Sequence, residues 1–241
     1  MEEAGNIFIL FFQVLVWTVR PPYRIGLMMR SLEFVGVGSL FIIILTGSFT
    51  GAVMGLQGIY AFEMIKAENL VGGSVALALV RELSPVLTAL MVTGRVGSAM
   101  ATEIGTMRVT EQLDAMETMA VNPIQYLIVP RVWACIIMVP ILCVVFTFVG
   151  MVGCYLVSVT WKGVDEGQFF AYIDSFVDLV DLTSGIYKSA IFGVTLACIG
   201  CYKGYAAHGG ARGVGQATTQ AVVLASVMVF VLDYLLTALG L

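Results

Sequence analysis

Five long apolar runs dominate the 241-residue sequence and constrain its fold more than any other feature. They cover residues 34–62, 71–100, 126–159, 184–202 and 217–241. Each run is long enough for an α-helix to cross a hydrocarbon core of about 30 Å. The third run is longer than a span needs and contains Pro130 and Pro140, so we expect it to tilt, kink or extend beyond the bilayer. The sequence therefore predicts an all-α integral membrane protein with five transmembrane helices.

The composition supports a membrane location. Hydrophobic residues make up 59% of the chain and charged residues 12%. In globular domains, by comparison, about 45–50% of the residues are apolar and about 25% are charged. So few charges cannot coat a soluble particle, which excludes a soluble enzyme and a disordered regulator. The net charge of −4 argues against a nucleic-acid partner. We expect residues 1–241 to form a single membrane domain.

The segment before the first long run has a different pattern. Its apolar stretch, residues 7–19, is too short to span a bilayer. A signal peptide carries its positive charges before the apolar stretch, but here Glu2 and Glu3 come first and arginines follow. We predict that residues 1–30 form an interfacial helix on the membrane, anchored by Trp17 and those arginines.

The basic residues predict the orientation. One set of span ends and connections carries Arg20, Arg24, Arg30, Arg95, Arg108, Arg131, Lys203 and Arg212. The opposite set has only Lys66 and Lys162, together with seven of the 16 acids: Glu63, Glu68, Asp165, Glu166, Asp174, Asp178 and Asp181. The positive-inside rule then places the N-terminus and the loops at 101–125 and 203–216 in the cytoplasm. Five spans put the C-terminus outside, where residues 160–183 form an external, partly amphipathic loop.

The loop at 101–123 is amphipathic. Four apolar residues recur at helical spacing: Val109, Leu113, Met116 and Ala120. Its acids lie largely elsewhere around the helix: Glu103, Glu111, Asp114 and Glu117. Helices that lie on lipid usually carry a basic polar face, so an acidic one favours docking on a partner protein. A plain connector between two spans is the alternative.

Three ionisable residues lie within the spans. Arg81 and Glu82 fall in the second, and Lys188 is near the outer end of the fourth. Charges in a membrane are costly and mark candidate functional sites. Neighbouring helical residues point about 100° apart, so Arg81 and Glu82 need partners on other helices. The partners are either structural, pairing Glu82 with Lys188 or Arg81 with an aspartate, or the charges form a polar patch for a lipid headgroup.

The first span carries a seam of small residues: Gly47, Gly51 and Gly55. This spacing invites close helix packing, either within the chain or between two copies in a dimer. Three apolar residues lie along or beyond the seam: Met54, Leu56 and Ile59. They are candidates to line an apolar chamber, with ordinary packing or lipid contact as the alternative.

Catalytic and metal-binding motifs are missing from the sequence. It has no GxxxxGK[ST] phosphate loop, no HExxH, no GxSxG and only one histidine, His208. The five cysteines lie in apolar runs, and the CxxC of Cys198 and Cys201 has no second ligand pair. We therefore expect a non-catalytic protein without a metal site, a disulfide framework or a cofactor of its own.

A stretch of the sequence resembles a known family. Residues 94–123, GRVGSAMATEIGTMRVTEQLDAMETMAVNP, resemble the cytoplasmic signature of MlaE-type permeases, the membrane subunits of ABC lipid transporters that work with MCE proteins. Further matches are GxxxGLQG at 51–58, RELSPV at 81–86, TWKG at 160–163 and the final LDYLLTAL. The resemblance extends from about residue 30 to the C-terminus. Ser84 departs from it, since the family pattern is usually RELGPV.

The resemblance implies a function and partners. It implies a homodimeric permease in the bacterial inner membrane, with two cytoplasmic ATPase subunits that bind the ATP and often a STAS-domain partner. Phospholipid would move between the membrane and a periplasmic MCE-domain ring, which maintains the lipid asymmetry of the outer membrane. The N-terminus would be cytoplasmic and the C-terminus periplasmic.

The resemblance also assigns residues. Segment 101–123 would be the coupling helix, with Glu103, Arg108, Glu111 and Asp114 contacting the ATPase. Arg81, Glu82 and Lys188 would lie around the substrate cavity. Two other classes remain open: an ion-coupled secondary transporter or channel, in which these charges carry ions, and a membrane scaffold. Both would act without an ATPase, and the first often has an internal repeat, which is not evident here.

Overall fold

The computed structural model describes residues 2–21, 24–64 and 66–240, and these fold into helices without a β-strand. Five helical stretches in this part of the chain are long and apolar enough to cross a membrane. They are Ile25–Glu63, Glu68–Val109, Ile124–Trp161, Leu179–Tyr205 and Gly210–Ala238. The predicted all-α membrane fold with five spans is confirmed.

The N-terminal region contains two helices, α1 (Glu2–Val19) and α2 (Ile25–Val35). The predicted N-terminal helix is therefore present as α1, but it ends at Val19 and does not extend to residue 30. Pro21 follows α1 and cannot donate a backbone hydrogen bond to continue it. Helix α2 passes through Gly36 into α3 (Val37–Glu63), and together they form the first span. In α1, the side chains of Leu10 and Val14 are buried against the bundle. The location of α1 in the membrane interface stays a prediction.

The second span is a helix interrupted by two wider turns. Its α-helical parts are α4 (Val71–Ala78), α5 (Ser84–Val92) and α6 (Ser98–Val109). Between them, Leu79–Leu83 and Thr93–Gly97 are π-helical. π-helical segments are uncommon in proteins, but those that occur are often found at functional sites. The first ends two residues before Pro85, which has no N–H to donate to the backbone carbonyl four residues earlier, that of Arg81.

The remaining elements complete the bundle. After α7 (Gln112–Thr118), the third span consists of a π-helical start at Ile124–Ile128, α8 (Val129–Tyr155) and a π-helical end at Leu156–Trp161. The fourth and fifth spans are α10 (Leu179–Tyr205) and α11 (Gly210–Ala238). Between the third and fourth spans lies α9 (Glu166–Phe176), an amphipathic helix whose Phe169 is buried against Gly72 of α4.

The glycine seam of α3 faces α8 of the same chain. A Cβ atom added at Gly51 would overlap the backbone of Gly150, and one at Gly55 would lie 3.3 Å from the Cα atom of Cys154. All three seam glycines are buried. Of the two alternatives, close packing within the chain is therefore the one observed, and the seam is not available as a dimer interface.

Long-range contacts gather the predicted cytoplasmic segments at one end of the bundle. The Asn6 Nδ2 atom donates to the Tyr202 hydroxyl at 3.3 Å, and the Tyr205 hydroxyl donates to Glu117 at 3.4 Å. These contacts bring α1, the 101–123 segment and the end of α10 together. At the opposite end, the Lys162 ammonium lies 4.7 Å from the centre of the Tyr60 ring. The two ends of the bundle thus agree with the distribution of basic residues along the sequence. Which of the two ends faces the cytoplasm stays a prediction.

Candidate functional site

The candidate site begins at the first π-helical segment of the second span, which carries Arg81 and Glu82. Pro85 cannot bond to the backbone carbonyl of Arg81, because that carbonyl lies four residues before it and proline has no N–H. The Nζ atom of Lys188, on α10, donates to this carbonyl at 3.2 Å. The local sequence thus leaves an acceptor that a side chain from another span fills.

Lys188 is the centre of the site. Its side chain is fully buried, and its Nζ atom lies 3.0 Å from each carboxylate oxygen of Glu82. The same atom donates to the hydroxyl of Thr237 at 2.8 Å. A buried ammonium is tolerated only when it is paired and hydrogen-bonded, and both conditions are met here.

Helix α11 adds two residues that sequence reasoning missed. Asp233 places a carboxylate oxygen 3.8 Å from Lys188 Nζ, and Thr237 donates to Glu82 at 3.3 Å. That Asp233 oxygen is buried and has no hydrogen-bond partner among the described residues. A signal was present in the sequence, since Asp233 is the only acid in the apolar run 217–241, and Thr237 follows it by four residues on the same helical face.

Arg81 makes a second ion pair at the edge of the site. Its Nε atom lies 3.5 Å from Asp181, whose other carboxylate oxygen accepts from the backbone N–H of Asp178 at 3.0 Å and so caps the start of α10. Both pairings considered from the sequence, Glu82 with Lys188 and Arg81 with an aspartate, are therefore present. We call Arg81, Glu82, Asp181, Lys188, Asp233 and Thr237 the outer polar cluster.

Exposure separates the roles within the outer polar cluster. The side chains of Arg81 and Glu82 are 47% and 38% exposed, whereas Lys188 has no exposed surface. A direct contact between Lys188 and a lipid headgroup, as the sequence suggested, is therefore not possible in this conformation. Lys188 instead holds Glu82 in place, and Arg81 and Glu82 are the charges that a ligand can reach.

The three apolar residues beside the glycine seam are in different environments. Ile59 is 3% exposed and belongs to the core, so it does not line an open chamber. Met54 is partly buried and packs against the core, and Leu56 is half-buried. For Met54 and Leu56, a role in an apolar chamber stays a prediction.

The 101–123 segment is not one helix, contrary to prediction. Helix α6 continues the second span as far as Val109, and α7 covers only Gln112–Thr118. The chain turns at Glu111, which has a left-handed backbone conformation with φ of 60°. Val109 and Thr110 are β-branched and favour helix weakly, which suits a helix end here. The turn lets Leu113 become fully buried.

Three of the four residues assigned to ATPase coupling by the resemblance form ion pairs within the chain. Glu103 lies 2.9 Å from Arg131, and Arg108 lies 2.6 Å from Asp114. Glu111 is exposed and makes no ion pair with the residues that the structure describes. Glu111 is thus the acid of this group most available to a partner.

The five cysteines are all buried, unpaired thiols, and Cys198 and Cys201 pack in the core.

These features define a multi-pass α-helical membrane protein with ion-paired charges buried among its spans, an arrangement typical of transporters. Residues 28–239 match the family described as Permease MlaE. The chain belongs to this family. The match confirms the family resemblance seen in the sequence and does not favour a secondary transporter or channel.

Curated relatives agree with the family match. A probable ABC transporter permease protein of Rickettsia typhi is 42% identical over 238 residues, which cover 98% of this chain and 92% of the relative. The intermembrane phospholipid transport system permease protein MlaE of Haemophilus influenzae is 41% identical over 99% of this chain and 92% of its own length. The chloroplastic protein TRIGALACTOSYLDIACYLGLYCEROL 1 of Arabidopsis thaliana is 38% identical over 87% of this chain and 60% of its own length. The chain is accordingly a permease subunit of an ABC transporter.

Proposed function

We propose that this permease moves phospholipids between the inner membrane and an MCE-domain protein on the periplasmic side, and so maintains outer-membrane lipid asymmetry. A separate cytoplasmic ABC ATPase hydrolyses the ATP. The observation that carries the proposal is the 41% identity, over 99% of this chain, to the phospholipid transport permease of Haemophilus influenzae. The outer polar cluster supports it, because it presents reachable charges among apolar spans.

Arg81 is the residue suited to a lipid phosphate. A guanidinium group binds phosphate oxygens with two parallel hydrogen bonds. Arg81 is half-exposed, and its pair with Asp181, at 3.5 Å, is longer than a strong charge-assisted hydrogen bond. A phosphate can therefore replace Asp181 as the partner of Arg81 at little cost. Glu82, held by Lys188 and Thr237, sets the opposite charge beside it and suits the ammonium of a zwitterionic headgroup.

The coupling surface is proposed to be the exposed side of α7 together with the turn before it. Glu111, Asp114 and Glu117 are exposed there, whereas Leu113 faces the core. An acidic surface of this kind suits a basic groove on the ATPase. Glu103 and Arg108 support the surface through their pairs with Arg131 and Asp114.

A second copy of the chain completes the proposed transporter. Helix α11 has many exposed apolar side chains, including Val223, Val227 and Phe230, so this face is not covered by the residues that the structure describes. We propose that two copies form a homodimer, with the ATPase and a STAS-domain protein at the cytoplasmic end. The N-terminus would then be cytoplasmic and the C-terminus periplasmic.

Purification of the tagged permease from its native membranes tests this function. We expect an ABC ATPase and an MCE-domain protein to co-purify, phospholipid to be bound, and reconstituted lipid transfer to require ATP. Ion-driven transport by the permease alone would contradict the proposal and support the secondary-transporter alternative. Purification without an ATPase or lipid, at normal protein yield, would support a scaffold instead.

A further inference from the structure

A second candidate site lies at the other end of the bundle. A cavity of about 220 Å³ opens between α1, α2 and the start of the third span. Its apolar lining consists of Trp17, Ile25, Met28, Val129, Pro130 and Trp133. None of these residues belongs to the outer polar cluster or to the 101–123 segment.

Hydrogen bonds between distant parts of the chain hold the walls of this cavity. The indole N–H of Trp133 donates to the hydroxyl of Thr18 at 3.0 Å, which joins α8 to α1. The side-chain amide of Gln125 donates to the backbone carbonyl of Arg20 at 2.8 Å. The cavity is thus a built feature between packed elements.

Two arginines, Arg20 and Arg24, also line the cavity, and both are exposed. The Arg20 guanidinium lies 5.4 Å from the centre of the Trp17 ring, and that of Arg24 lies 4.4 Å from the Tyr126 ring. Neither forms an ion pair with a carboxylate in the described part of the chain, whereas Arg81, Arg108 and Arg131 each do. The aromatic rings orient these guanidinium groups, and no described carboxylate neutralises their charges.

We propose that this cavity binds an anionic phospholipid, whose phosphate is held by Arg20 and Arg24 and whose chain enters the apolar part. Two arginines that pair with no carboxylate among the described residues favour a headgroup with net negative charge and disfavour the ammonium of a zwitterionic lipid. Ligand pockets for whole small molecules measure about 300–1,000 Å³. The smaller volume here holds only the part of the lipid next to its headgroup, and the rest lies in the bilayer. The bound lipid bridges α1, α2 and α8.

The wild-type protein gives the first test. Full-length permease is purified in detergent and exchanged into phosphatidylglycerol or phosphatidylcholine, and the lipid retained per protein is counted by native mass spectrometry. We expect more phosphatidylglycerol than phosphatidylcholine to be retained and a larger thermal stabilisation by the former. Equal retention of the two lipids would overturn the proposal. Stabilisation by inorganic phosphate equal to that by phosphatidylglycerol would assign a free-anion site instead.

Variants then locate the lipid. Because the double variant Arg20→Gln with Arg24→Gln removes both charged hydrogen-bond donors to the phosphate, it should lower phosphatidylglycerol retention at least about tenfold. Arg30→Gln is the matched control, since Arg30 is an exposed arginine of α2 that does not line the cavity. Val129→Phe, which fills the apolar part, should lower retention without removing charge. Loss of retention in Arg30→Gln equal to that in the double variant would overturn the proposal.

This site is independent of the proposed transport function. Arg81→Ala removes the candidate transport contact but leaves Arg20 and Arg24 unchanged, so phosphatidylglycerol retained through the cavity should persist. If Arg81→Ala abolishes all retained phosphatidylglycerol while the Arg20 and Arg24 double variant retains it, the second site does not exist and the proposed transport site stands.

Discussion

The Nζ atom of Lys188 lies 3.0 Å from both carboxylate oxygens of Glu82, and this ion pair joins the fourth span to the second. Lys188 is fully buried, whereas Glu82 keeps 38% of its side chain exposed. Lys188 therefore has a structural role in the interior, whereas Glu82 has exposed surface that a ligand can contact. The pair separates the structural role of the outer polar cluster from its proposed role in lipid binding.

Lys188→Ala should mainly reduce stability. Breaking a buried ion pair by removing one partner costs about 3–5 kcal/mol, and the exposure of Glu82 places this case at the lower end. Arg81→Ala should cost less than about 1 kcal/mol, because its ion pair is half-exposed, but should lower bound phospholipid and transport more. Thermal unfolding in detergent, with lipid measured per folded protein, compares the two. Normal lipid content and transport in Arg81→Ala would remove Arg81 from the mechanism.

The charge swap of Glu82→Lys with Lys188→Glu should restore stability only in part. Lys188 also donates to the Arg81 carbonyl and to Thr237, and a carboxylate in its place cannot donate. The new glutamate would also lie near Asp233. Adding Asp233→Asn should therefore recover further stability, as measured by thermal unfolding. Full recovery by the double swap alone would show that these extra contacts contribute little.

Gly51→Ala should destabilise the protein by about 1–3 kcal/mol, the usual cost of overpacking a tight interior. The reason is that the new methyl group would overlap the backbone of Gly150. Gly26→Ala, in α2, is the control, because no atom lies within 4 Å of a Cβ at that position. Thermal stability in detergent distinguishes them. Equal stability of the two variants would contradict the packing of α3 on α8.

Cysteine labelling tests the orientation. The five native cysteines are buried, so an introduced thiol should dominate the signal. Asp165→Cys should react with an impermeant reagent added outside, whereas Glu117→Cys should react only after the membrane is opened. A periplasm-active reporter fused to the C-terminus should be active. The reverse pattern would overturn both the orientation and the coupling assignment.

Charge reversal at the coupling surface should weaken ATPase association. Glu111→Lys is the cleaner single variant, because Glu111 has no ion-pair partner among the described residues, whereas Asp114→Lys also breaks the pair with Arg108. Combining Asp114→Lys with Arg108→Glu restores that pair and serves as the control for fold. Co-purification and coupled ATPase activity are measured. Normal assembly and coupling in the Glu111→Lys, Asp114→Lys double variant would make the segment a plain connector.

The number of membrane spans and their helical type followed from the sequence, because the length of an apolar run and its charge content are local properties. The five predicted runs correspond to the five helical stretches, although α10 begins at Leu179 rather than at residue 184. The points at which a predicted helix is interrupted were harder to predict from the sequence. Pro21 separates α1 from α2, and the turn at Glu111 divides a segment whose apolar spacing alone favoured one helix.

The tertiary structure decided which of the possible partners meet. Glu82 and Lys188 are 106 residues apart, and Glu82 and Thr237 are 155 apart, so their contacts depend on how three spans pack. Packing also buried Ile59, placed the glycine seam against Gly150, and brought Asp233 to the cluster. The sequence by itself determined that charges lie within the membrane spans and need partners. Only the packing of the helices chose those partners, because each helix can turn several faces inward until its neighbours are in place.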